Sequence, residues 1–177
     1  RADIQLHNAS CAVQALLLLD DTLPISHDAI RSGIKSAKVR GRCQVVSKQP
    51  LVVLDVAHNE DSVRALSGFI KSLEIEGRVK AVCGMLRDKQ IAASLSNISP
   101  LIDEWYLASI SGERGSTAAS INEIVHDLVA EKETVITQQF ESVDAAFKAA
   151  REHASSTDCV VVFGSFYIVA DILKQFE

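Results

Sequence analysis

Three observations predict an α/β protein with a doubly wound, mostly parallel sheet. Short apolar runs alternate with amphipathic segments of helical length. Polar, glycine-bearing loops follow those runs. The first two runs are separated by so few residues that they favour an antiparallel hairpin, which makes the sheet mixed.

Taken in order, Ala9 to Leu19 is rich in helix formers, and Asn8 stands where an N-cap would stand. The Asp20-Asp21-Thr22-Leu23-Pro24 break ends that helix, and Ser26-His27-Asp28 starts a second one running through Ile34 toward Lys38. Neither helix belongs to the alternation that follows, so residues 1–40 look like an appendage. A short strand at Cys43–Val46 turns through Ser47-Lys48-Gln49-Pro50 into Leu51-Val52-Val53-Leu54, four apolar residues that read as a strand buried on both faces. Glu60-Asp61-Ser62 then opens a helix whose apolar residues from Val63 to Ile70 recur at helical spacing. Further on, strands are expected at Val79–Cys83, Glu104–Ala108, Glu133–Thr137 and Cys159–Phe163. Helices are expected at Lys89–Ile98, Ile121–Ala130, Val143–His153 and Tyr167–Phe176.

At 177 residues the chain fits one domain with a small appendage, and 47% hydrophobic residues with a mean hydropathy of +0.15 suit a globular protein. A net charge of −5 and a pI near 5.5 give no general attraction to nucleic acid or an anionic membrane, which leaves a small molecule as the expected partner. No apolar run, Ala15 to Leu19 with its flanks included, approaches the roughly 20 residues that span a bilayer. Arg1-Ala2-Asp3 leads straight into mixed polar sequence, without a signal peptide, and a start at Arg suggests an excised fragment. Cys11, Cys43, Cys83 and Cys159 are scattered without zinc or redox spacing, and all four are expected as reduced core or near-core residues of a cytoplasmic protein.

In an open α/β sheet ligands bind beyond the carboxyl ends of the strands. Asp55, His58 and Asn59 arrive as the central strand ends, and a plainer reading makes Asp55 and Asn59 caps of the next helix with His58 in a turn. Three more loops share that rim: Gly84 to Lys89, Ser109 to Gly115, and Gly164-Ser165-Phe166-Tyr167. Arg87, beside Asp88, and Arg114, between glycines, are candidate anion contacts. Ser165 lacks the Gly-x-Ser-x-Gly frame of a hydrolase nucleophile, so it suits capping or substrate binding instead. His7, His27, His126 and His153 fall on helices or helix ends and are expected at the surface. No Gly-x-x-x-x-Gly-Lys-[Ser/Thr] occurs, so the chain cannot hold a triphosphate by a P-loop of its own.

The segments Gly41-Arg42-Cys43-Gln44-Val45-Val46, Asp55-Val56-Ala57-His58-Asn59, Gly84-Met85-Leu86-Arg87-Asp88-Lys89, Gly112-Glu113-Arg114-Gly115 and Gly164-Ser165-Phe166-Tyr167 occur in the order found in one family. Through them the chain resembles the C-terminal part of the bifunctional dihydrofolate synthase/folylpolyglutamate synthases of the Mur ligase superfamily. The resemblance implies a Rossmann-like mixed six-stranded sheet over 41–177, preceded by the last helices of an ATPase domain over 1–40. It implies a ligase that uses ATP and Mg2+ to make an acyl phosphate on dihydropteroate or tetrahydrofolate, which L-glutamate then attacks. The P-loop and metal ligands are expected in an N-terminal ATPase domain in cis, so this fragment alone should be inactive. A monomer is expected. By motif, Asn8 is similar to the asparagine that contacts the base of ATP, Arg42 to the linker arginine that reaches its phosphates, and Asp55 to its nucleotide-binding aspartate. His58 falls on an active-site cleft position and Ser165 on one that binds the incoming glutamate. Another Mur-type amino-acid ligase and a non-catalytic Rossmann-like binding module stand as alternatives.

Overall fold

The computed structural model describes residues 3–37, 39–130 and 135–177, and divides into two compact units, Arg1–Arg40 and Gly41–Glu177. In the first unit α1 (Asp3–Leu18) and α2 (His27–Ser36) are joined by a turn in which the Thr22 amide donates to the Leu19 carbonyl at 2.9 Å. Ser26 caps α2, its hydroxyl accepting from the Ala29 amide. The expected N-cap at Asn8 is corrected: α1 begins at Asp3, so Asn8 lies inside the helix with its side chain exposed. The residues before it, Ile4-Gln5-Leu6, are helix-compatible, and their continuity outweighs the capping preference of one asparagine. Lys38, the expected end of the second helix, lies outside the described residues. Cys11 is exposed rather than near-core. Leu17, Leu18 and Leu23 are about half exposed or more.

The second unit is a six-stranded sheet in the order β1-β2-β6-β3-β4-β5. β1 (Gln44–Lys48) pairs antiparallel with β2 (Leu51–Asp55), as the short connection predicted, with a bulge between Val45 and Ser47. β6 (Cys159–Phe163), β3 (Val79–Cys83), β4 (Glu104–Ala108) and β5 (Ile136–Phe140) are parallel to β2. The fifth strand, expected at Glu133–Thr137, is found at Ile136–Phe140, with residues 131–134 outside the described set. Ile-Thr-Gln-Gln-Phe is a polar edge strand with Ile136 46% exposed, so no apolar run marked its register.

Alternate residues of the strands feed two cores. Val53, Ala81, Cys83, Trp105, Leu107, Val161 and Phe163 pack on α3 (Glu60–Lys71), α4 (Ile91–Ser96) and α5 (Ala118–Leu128). Val52, Leu54, Val82, Tyr106, Val160 and Val162 pack on α6 (Val143–Glu152) and α7 (Phe166–Leu173). Successive side chains of a strand point to opposite faces, so strands buried on both faces read as continuous apolar runs.

The amino ends of the parallel strands carry a buried ionic network. Lys80 Nζ lies 2.6 Å from Glu104 Oε1 and 3.8 Å from Asp158 Oδ2, with all three side chains under 10% exposed. Arg78 donates to Glu104 Oε1 at 3.0 Å and Tyr106 to Glu104 Oε2 at 2.9 Å. With that proton committed, the phenol oxygen accepts from Nδ1 of His153 at 3.2 Å. His153 itself is exposed, as are His7, His27 and His126. Amides of Arg78 and Ser155 donate to the two oxygens of Asp158.

Candidate active site at the carboxyl end of the sheet

Helices leave β2 and β6 on opposite faces: α3 buries Val63, Leu66 and Ile70 in one core, and α7 buries Ile168, Val169 and Ile172 in the other. A crevice opens at such a divergence, and strand-end residues face it. β4 and β5 diverge in the same way, and a second groove of about 600 Å³ lies there, lined among others by Ser109, Ser111, Arg114, Glu141 and Tyr167.

At the first crevice Asp55 is 3% exposed, and each oxygen accepts one amide: Oδ2 from Cys43 at 2.7 Å and Oδ1 from Ala57 at 2.7 Å. Burial pushes the Asp55 carboxyl above its ordinary range, opposed by those hydrogen bonds and by the Arg42 charge. Burial and the neighbouring Asp55 carboxylate push the Cys43 thiol up to about 12, which keeps it a thiol.

Arg42 is half-buried and held by its neighbours' backbone. Gly41 adopts φ +66°, donates its amide to Gln44 Oε1 at 2.8 Å, and accepts from the Val56 amide at 2.8 Å. Cys43 takes φ +43°, a left-handed conformation compensated by its bond to Asp55. The Arg42 guanidinium lies 5.9 Å from the centroid of the Phe166 ring.

The plainer reading holds for Asn59, whose side chain caps α3 in a reciprocal box with Ser62. Asp55 instead ties the β2 end to the Arg42 loop. His58 donates its amide to Ser62 Oγ at 3.1 Å, and its Nδ1 lies 2.8 Å from the Val56 carbonyl. A carbonyl only accepts, so Nδ1 carries the proton, and in the neutral ring Nε2 is the acceptor. The imidazole also meets Phe166, centroid to centroid, at 5.8 Å.

Ser165 is 3% exposed and caps α7, its hydroxyl accepting from Tyr167 N at 3.2 Å. Gly164 before it has φ +118°, and a Cβ there would stand 2.5 Å from the Gly84 carbonyl, so the β6 and β3 ends touch through backbone.

Arg87 and Arg114 stand away from this cluster's contacts and clasp two loops. The Arg87 amide donates to the Arg114 carbonyl at 2.8 Å and its Nε to the Gly115 carbonyl at 2.7 Å, while Arg114 donates to Asp88 at 2.8 Å. That contact holds the Asp88 carboxyl below its ordinary range. Gly115 is required because a Cβ would stand 1.8 Å from the Ile110 carbonyl oxygen. Among the described residues no group of three His, Cys, Asp or Glu could hold a metal ion, and no helix is long and apolar enough to cross a membrane. Phe166, expected only as a member of the Gly164–Tyr167 rim loop, opens α7 and is 59% exposed.

A family model described as "Mur ligase, glutamate ligase domain" matches residues 41–166. The chain is 41% identical over 170 residues to a dihydrofolate synthase/folylpolyglutamate synthase of Escherichia coli (strain K12), which covers 96% of this chain and 38% of that protein. Its structure is similar to that of E. coli FolC in complex with DHPP and ADP, with a TM-score of 0.82, 40% identity, and coverage of 95% of this chain and 38% of that one. A bifunctional folylpolyglutamate synthase/dihydrofolate synthase with Mn, AMPPNP and L-glutamate bound superposes with a TM-score of 0.73 at 40% identity, covering 87% and 36%. The chain thus spans well under half the length of the relatives it matches.

Proposed function

The chain belongs to the Mur ligase, glutamate ligase domain family, and from that premise we propose that it is the C-terminal part of an ATP-dependent ligase joining L-glutamate to dihydropteroate, to tetrahydrofolate, or to both. The compact unit Gly41–Glu177 is its Rossmann-like domain, and residues 1–40 are the helical end of the ATPase domain, which carries the P-loop and Mg2+ ligands. The reaction runs through an acyl phosphate on the folate-type carboxylate, attacked by the glutamate amine. ATP supplies the phosphoryl group that turns that carboxylate into an acylating agent.

The observation that carries this reading is the gathering of Arg42, Asp55, His58 and Ser165 at the β2/β6 divergence. Arg42 stays ionised and its planar fork donates bidentately, so it suits developing phosphate charge. Asp55 fixes the loop that presents it through the Cys43 amide, and a remaining lone pair can accept from a ribose hydroxyl. His58, with Nδ1–H spent on Val56, turns an acceptor nitrogen toward an incoming ammonium or hydroxyl. Ser165, at the start of a helix, suits the carboxylates of glutamate. Phosphoryl and acyl transfer of this kind depend on positioning and charge stabilisation, so a domain without a nucleophile can still be essential. Asn8, inside α1, is assigned to the adenine base, and Arg87 and Arg114 to substrate; Arg114 would have to leave Asp88 to serve.

The test is ligation of L-glutamate to dihydropteroate by the full-length protein, with Arg42→Ala and Asp55→Ala variants. Both variants should fold and lose turnover, and wild-type kinetics in both would sink the assignment. The 177-residue chain alone should release no ATP- and glutamate-dependent phosphate. Activity only with UDP-linked muramyl substrates would move the enzyme to another Mur-type branch.

A further inference from the structure

We propose that Phe166 is a positioning residue whose ring holds the Arg42 guanidinium and the His58 imidazole in their working places. The ring opens α7, yet it is 59% exposed, whereas Ile168, Val169 and Ile172 of the same helix are at most 2% exposed. Core packing therefore does not account for an aromatic residue here, since leaving that apolar area in water gains nothing.

What the ring does touch is specific. The Arg42 guanidinium approaches to 5.9 Å, a distance at which a cation is attracted to the negative face of an aromatic ring. The His58 ring lies at 5.8 Å with an interplanar angle of 52°, a tilted arrangement that aromatic pairs favour. Arg42 and His58 come from different segments, one before β1 and one after β2. Phe166 comes from a third, after β6.

The ring is also rigidly mounted. Gly164 packs backbone to backbone against Gly84, and the buried Ser165 caps the helix that Phe166 begins. The backbones of Arg42 and His58 are pinned as well, by Gly41, Cys43 and Ser62. The Arg42 side chain is long and retains rotamer freedom in water. A fixed apolar ring reduces that freedom without neutralising the charge, as a carboxylate partner would. It thereby keeps the arginine available for an anion.

This inference rests on the roles given above to Arg42 and His58, and its test separates the two. In the 177-residue chain, 15N NMR reads the order of the Arg42 Nε–H group and the tautomer of His58. Phe166→Leu should leave the melting temperature unchanged, lower the heteronuclear NOE of Arg42 and, with no ring to keep the imidazole turned toward the Val56 carbonyl, mix the His58 tautomers. Phe166→Tyr, which keeps the ring, should retain both signals. In the full-length enzyme the Leu variant should lose about fivefold in kcat/KM, the scale of a lost exposed cation–π contact, and the Tyr variant should restore it. Unchanged Arg42 and His58 signals in Phe166→Leu would overturn the proposal. Lost order with unchanged kinetics would uphold the positioning role and count against the functions assigned to Arg42 and His58.

Discussion

The two ends of the sheet hold similar numbers of charged and polar side chains and treat them in opposite ways. At the amino end, Lys80, Arg78, Glu104, Asp158 and Tyr106 satisfy one another, and the charges balance within the cluster. At the carboxyl end, backbone amides hold Asp55, the Val56 carbonyl and the Phe166 ring hold His58, and Arg42 rests on that same ring, so these groups are anchored by backbone and an aromatic face rather than by one another. Closed charges stabilise a fold or specify its register, while charges anchored on one side and open on the other are poised for a ligand. Burial alone does not separate the two, since Asp55 is as buried as Lys80.

The largest effect should come from opening the closed end. Lys80→Ala leaves two buried carboxylates short of a cation and should cost roughly 3 kcal/mol in urea unfolding, the scale of a broken buried pair. The double variant Lys80→Met/Glu104→Leu should recover part of that loss, because an apolar pair removes one of the two unmet charges and leaves Asp158 with its amide donors from Arg78 and Ser155. At the other end, Gly164→Ala should cost about 2 kcal/mol or more, since the new methyl meets the Gly84 carbonyl in a left-handed backbone.

Acid should divide the two ends by sign. Burial disfavours ionisation of Glu104 and Asp158, yet their hydrogen bonds and Lys80 prevail and hold them below their ordinary values of 4.5 and 3.8. Their stabilisation is therefore complete above those values and is lost as pH falls through the folded ones. Asp55 is raised above 3.8, so its contribution is greatest in acid and declines as pH rises through its folded value. In a stability titration through the acid range, Glu104→Gln should flatten the acid loss, and Asp55→Asn should steepen it. The smallest effect is expected from Arg114→Ala, whose exposed pair with Asp88 should leave the melting temperature within error.

Much of the sheet was legible because Leu51–Leu54, Val79–Cys83 and Cys159–Phe163 are buried on both faces and so read as apolar runs. The rim cluster was legible because Asp55, His58 and Ser165 directly follow such runs. Lys80 and Glu104 were not recognised as partners: they lie 24 positions apart in sequence, and only the β3–β4 register sets them side by side. β5 was misplaced for want of an apolar face, and Asn8 because capping preference is a local signal that helix continuity overrides. Phe166 is legible in sequence only as a member of the Gly164–Tyr167 rim loop, because its partners Arg42 and His58 come from distant segments that the sheet alone brings together.

The division between a working end and a closed end is tested most directly by comparing Asp55→Ala with Lys80→Met/Glu104→Leu in the full-length protein, assayed for ATP-dependent addition of L-glutamate to dihydropteroate. Asp55→Ala should remain folded by circular dichroism and lose about a hundredfold in kcat, the scale of a misplaced reacting group, while the double variant should keep its rate. Full turnover in a folded Asp55→Ala, or a comparable loss in a folded double variant, would contradict it.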